Sequence, residues 1–103
     1  MDDQEFKNRA DQSLEALYRR LTAASDGADF EADFNSGALA IEFEEPPGKF
    51  VITPNTPPRQ IWISALSTSF KLDWSETAKN FVLPKTGETL PQVVARVIQE
   101  HLQ

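Results

Sequence analysis

The sequence predicts an α+β two-layer sandwich: two helices packed on one face of a five- or six-stranded antiparallel sheet, in the order helix–strands–helix. Three observations carry that prediction. Apolar residues recur at the helical period at both ends of the chain. Between them, apolar and polar residues alternate in short runs separated by turn residues. An antiparallel meander with one polar face needs its other face covered, and two amphipathic helices are the cover available. The 103 residues suffice for one core, so 1–103 is read as a single domain.

Each element has its own signal. Phe6, Ala10, Leu14, Leu17 and Leu21 form one stripe at spacings of three and four, and no Gly or Pro interrupts residues 2–24. Ser25-Asp26-Gly27 supplies the stop. In residues 29–34, Phe30, Ala32 and Phe34 alternate with Asp29, Glu31 and Asp33, so one face is apolar and the other a carboxylate row. Asn35-Ser36-Gly37 reads as a hairpin turn, and Leu39, Ile41 and Phe43 mark the second strand. After a turn at Glu45-Pro46-Pro47-Gly48, Phe50-Val51-Ile52 opens a third strand. Pro54, Pro57 and Pro58 cannot donate to a ladder, so residues 54–58 are expected to form a loop. Residues 60–66, 70–74 and 80–83 supply three more strands. Thr89-Leu90-Pro91-Gln92 fits a capping box, and Leu90, Val93, Val94, Val97, Ile98 and Leu102 line one face of a final helix.

Charge is unevenly spread. The net charge is −6, but residues 1–48 hold twelve acids against four bases while residues 49–103 hold four against six. An acidic half repels a phosphate backbone, so nucleic acid is not an expected partner. There is no cysteine, which excludes disulfides and thiolate chemistry. No stretch approaches the roughly 18 apolar residues of a membrane span. The acidic start, without a basic leader, leads us to expect a bacterial cytoplasmic protein. A monomer is expected.

A resemblance then enters on specific residues. Asn55-Thr56-Pro57-Pro58-Arg59-Gln60-Ile61-Trp62-Ile63-Ser64, followed by Phe70-Lys71-Leu72-Asp73-Trp74, resembles the signature of the frataxin family. Phe34-Asn35-Ser36-Gly37-Ala38-Leu39, Lys85-Thr86-Gly87-Glu88-Thr89-Leu90, Glu5-Phe6 and Ala10-Asp11 also match in order, so the resemblance spans the chain. It implies a bacterial frataxin-like domain that binds iron weakly and associates with a cysteine desulfurase and an iron–sulfur scaffold. There it would modulate sulfur transfer and deliver iron.

Catalytic chemistry has little to work with. His101 is the lone histidine, expected at the surface in the last turn of a helix, where a cation suits the dipole. Ser64, Ser67 and Ser69 have no second histidine to activate them. No enzymatic activity is expected beyond, at most, weak ferroxidase activity.

The carboxylates have two readings. Asp29, Glu31 and Asp33 stand two apart on one strand face, and Asp11 and Glu15 share a helix face. Oxygen ligands alone suit hard cations, loosely held through water. The other reading is a charged strand edge that resists pairing with other sheets. The resemblance implies an acidic ridge for iron (Fe2+/Fe3+) at Asp3, Asp11, Glu15, Asp29, Glu31 and Asp33. Frataxins usually continue that ridge into the second half of the first helix, where this chain has Tyr18, Arg19, Arg20, Thr22 and Ala23. With Arg19 four residues from Glu15, an ion pair is expected, and iron binding weaker than in typical members with it.

Trp62 is the second candidate. With Ile61 and Ile63 facing the core, Trp62 must face outward with Gln60 and Ser64. A tryptophan there is either an interface anchor or a ring packed by its own sheet neighbours. The family resemblance implies a partner-binding face, with Asn55, Gln60 and Lys71 flanking Trp62. Thr53 and Pro54 stand where many frataxins have Asn and Lys, expected at the rim of that face. Trp74 shares parity with Phe70 and Leu72 and is expected in the core. An acidic interaction module with this fold but no iron role is the alternative function.

Overall fold

The computed structural model describes residues 2–24, 30–35, 37–44, 47–56, 58–66 and 68–102. Helix α1 (Asp3–Ala24) is followed by β1 (Phe30–Asn35), β2 (Ala38–Glu44), β3 (Pro47–Asn55), β4 (Gln60–Ala65), β5 (Thr68–Ser75), β6 (Asn80–Val82) and helix α2 (Leu90–Leu102). The strands form one six-stranded sheet in chain order, every neighbouring pair antiparallel. Both helices cover one face.

Local chemistry sets the ends of the helices. Asp2 caps α1: its Oδ1 accepts the Glu5 backbone N–H at 2.8 Å, satisfying a donor that the first turn leaves unpaired. The α1 stripe then buries Phe6, Ala10, Leu14, Leu17 and Leu21 against the sheet. At α2 the Thr89 backbone N–H donates to Gln92 Oε1 at 2.9 Å, the reach-back half of the capping box. Arg96 further ties the helix to the loop before it, donating from Nε and Nη2 to both oxygens of Glu88 at 2.9 Å. Those bonds, and one from Thr86, hold the Glu88 carboxyl below its ordinary value of 4.5.

The core is one cluster. Leu39, Ile41, Ile52, Ile61, Ile63 and Leu72 from the sheet, with Leu90 and Val93 from α2, are completely buried. Their strand neighbours point the other way, so Glu42, Trp62, Ser64 and Lys71 lie exposed on the open face. Register aligns these outward residues in rows across the sheet: Glu31–Glu42–Lys49, Thr53–Trp62–Lys71 and Asn55–Gln60–Asp73.

Four expectations need correction. Pro54 belongs to β3, paired with Ile61; the ladder to β2 ends at Leu39–Ile52, so proline removes no bond on that side. Strand β3 likewise starts at Pro47, at a strand end where a missing donor is tolerated. Leu102 is 38% exposed, because α2 runs past the edge of the core. His101 does lie in the last turn of α2, but it is half-buried and packed rather than free at the surface. Its ring lies 4.3 Å from that of Phe43 and 5.7 Å from that of Phe50.

His101 explains a neighbouring glycine. A Cβ on Gly48 would stand 2.9 Å from His101 Cε1 and 3.1 Å from Leu66 Cδ2. Moving the imidazole aside would disturb its contacts with the two phenyl rings. Gly48→Ala should therefore destabilise the fold by about 1–3 kcal/mol, as overpacking does. Urea unfolding measures it, and an unchanged midpoint would show that the ring gives way freely.

Candidate functional site

The middle of the open face carries the most organised set of exposed side chains. Trp62 projects from β4, a central strand, and is 36% exposed. Its Nε1–H donates to Gln60 Oε1 at 3.0 Å. Gln60 in turn donates from Nε2 to Asp73 Oδ1 at 3.0 Å, across to β5. Lys71, directly opposite Trp62, places its ammonium 4.8 Å from the indole ring centre. Asn55 donates from Nδ2 to the Thr53 backbone carbonyl and hydroxyl, both at 3.3 Å.

This chain of bonds fixes the indole without covering it. The ring's one polar group is satisfied within the sheet, so the exposed apolar face is ready for a partner at little ordering cost. Lys71 and Asp73 supply one charge of each sign beside it. Asn55, Gln60, Trp62 and Lys71 are thus neighbours on the open face, the grouping that the family resemblance implies. Asp73 was missed, and Thr53 was misplaced. The signal for Asp73 was its shared parity with Lys71. Thr53 is not at the rim: register sets it directly opposite Trp62, at the centre of the platform.

The acidic candidates are dispersed. Asp3 accepts from Arg59 Nε at 2.9 Å, joining the start of α1 to the β3–β4 turn. Glu15 pairs with Arg19 Nη2 at 2.7 Å, as the spacing predicts. Asp11 lines a shallow groove with Lys7, Asn8, Gly37, Pro54 and Thr56. Glu31 and Asp33 occupy the open face of edge strand β1, with Glu31 opposite Glu42. Glu42 also lies 3.8 Å from Lys49. Asp29 falls outside the described residues. Among the described residues no three acids or histidines gather closely enough to hold a metal ion. Tyr18, in the stretch where the ridge would continue, packs instead on Phe34 with ring centres 6.0 Å apart.

A family model for the frataxin-like domain matches residues 1–103. The chain belongs to the frataxin-like family. Among curated frataxin relatives, the iron–sulfur cluster assembly protein CyaY of Thioalkalivibrio sulfidiphilus is 28% identical over 98 residues, spanning 95% of this chain and 91% of the relative. The protein of the same name from Azotobacter vinelandii is 24% identical over 91 residues, spanning 86% and 82%. Among solved structures, frataxin from Psychromonas ingrahamii superposes with a TM-score of 0.77 at 26% identity, over 97% of this chain and 90% of that one. Yeast frataxin gives 0.73 at 21% identity, over 96% and 81%, a likeness of fold alone. Two helices on an open six-stranded antiparallel sheet are the architecture shared with these frataxins.

Proposed function

We propose that this frataxin-like chain is an accessory protein of iron–sulfur cluster assembly that docks through the Trp62 face on a cysteine desulfurase and its scaffold. The observation that carries the reading is the exposed indole, fixed by Gln60 and Asp73 on a rigid central strand. The names of the CyaY relatives supply the pathway. The acids of α1 and β1 would add long-range attraction to a basic partner surface.

Iron, in this reading, is a weakly held cargo. Asp3 and Glu15 are engaged by arginines, and Glu31 and Asp33 lie on a strand without a third ligand among the described residues. Loose, water-mediated contact is what such oxygens offer a hard cation. Titration with Fe(II) should therefore saturate only in the millimolar range, or not at all. Tight stoichiometric binding that involves residues 18–23 would overturn this part.

The experiment for the function is cluster assembly on the scaffold, driven by the desulfurase, with and without the protein. A dose-dependent change in rate, in either direction, supports the reading. An unchanged rate at excess protein counts against it.

A further inference from the structure

The sheet has two edges, and the fold treats them differently. β6 is closed on its outer side: Val82 bridges Thr89, and the Leu83 backbone N–H donates to the Glu88 carbonyl at 2.8 Å. β1, at the other end of the strand order, pairs with β2 alone. An edge strand turns the N–H and C=O of every second residue outward. Among the described residues no hydrogen bond reaches those groups of β1. The strand is also regular, without proline and matched residue for residue with β2 from Phe30–Phe43 to Asn35–Ala38.

Side chains on both faces are left incomplete at this edge. On the open face, register aligns Glu31, Glu42 and Lys49 in one row. Like charges set directly opposite repel, and Lys49, 3.8 Å from Glu42, offsets that pair from one side only. Glu31 and Asp33 are exposed and make no ion pair among the described residues. The position next to Glu31, outside the sheet, is where a cation would complete the row. On the helix-covered face Phe30 is buried, but Ala32 and Phe34 are only half-buried, so α1 does not seal the strand.

We propose that the outer edge of β1 takes up an extended segment of a partner protein in which basic residues alternate with apolar ones. Backbone bonds would add that segment to the sheet as a further strand. Its basic side chains would lie opposite Glu31 and Asp33, and its apolar ones beside Ala32 and Phe34. A second copy of this chain is the wrong occupant, since β1 laid against β1 sets acid against acid. The acids thus act as a filter, keeping like strands off the edge while admitting a basic one. In the sheet order β1 stands three strands from β4, so this surface does not depend on the Trp62 docking face.

The first probe is a short capped peptide alternating lysine and valine, titrated at low ionic strength and followed by ¹H–¹⁵N NMR. Saturable amide shifts are expected along β1, with slowed hydrogen exchange at every second residue of that strand, leaving the Trp62 indole N–H unmoved. A peptide of the same composition with its lysines and valines in separate blocks should bind more weakly by about tenfold, because it cannot satisfy both faces. The double variant Glu31→Lys/Asp33→Lys changes only exposed side chains and sets a cation against Glu42, so the fold should be kept. It should lose affinity for the lysine–valine peptide by about tenfold or more and take up a glutamate–valine peptide instead. Shifts spread over α1 without protection of β1, equal binding of the block peptide, or an unaffected double variant would overturn the proposal. Protection of β1 that rises with the protein's own concentration would also overturn it, by making a second copy the occupant.

Discussion

Truncating Phe81 to alanine is expected to cost about 3–5 kcal/mol, a large part of the roughly 5–15 kcal/mol that holds such a domain folded. Phe81 lies on β6, a three-residue edge strand with few ladder bonds of its own. Its ring is completely buried. It meets Phe6 edge-on at 5.8 Å and Trp74 at 5.2 Å. That single side chain clasps the start of α1 to the last strand of the sheet. Alanine would leave a cavity and remove the ring contact that Phe6 and Trp74 each make with Phe81. Chemical denaturation should show a much lower midpoint with a similar slope. A midpoint near wild type would mean that β6 is not held in the way described.

The second large effect concerns binding. Trp62→Ala should weaken the complex with the desulfurase and scaffold by about 2 kcal/mol or more, some thirtyfold in Kd. Stability should barely change, because the indole lies on the open face and its removal leaves no cavity. Trp62→Phe tests the mechanism more finely. It keeps an aromatic surface but loses the hydrogen bond to Gln60, so an intermediate loss is expected. Calorimetric titration of both variants decides. Equal affinity for wild type and Trp62→Ala would remove Trp62 from the interface.

Much of this molecule was legible from periodicity. The α1 stripe, the alternation in β1, β2 and β4 and the Thr89–Gln92 cap all follow from which side chains share a face. The chain has few long-range surprises because its strands pair in sequence order. What escaped was set by neighbours distant in sequence. Pro54 sits inside a strand because its ladder to β2 has already ended, which depends on β2's starting point. His101 is packed because Phe43 and Phe50 come beneath the end of α2. Trp74 has the parity of a core residue, yet it stands near the sheet margin, where Arg9 and Glu76 reach it.

The functional residues divide in the same way. Trp62 and Gln60 were readable from strand parity, Lys71 came with the family resemblance, and the β4–β5 register sets it opposite Trp62. Thr53 changed meaning once register set it against Trp62. The carboxylates were readable as types but not as a cluster. Spacing of two on β1 and four on α1 places each pair on one surface, but it does not bring the two surfaces to a common point. Arginine partners, one of them 56 residues away from Asp3, then claim two of the acids.

The most direct test of the account is binding of the purified protein to its host's cysteine desulfurase, with and without scaffold, at low and moderate salt. The acids of α1 and β1 predict a complex that forms readily at low salt and weakens as salt screens them. Absence of binding at either salt, with the scaffold present or not, would contradict a role as an assembly accessory.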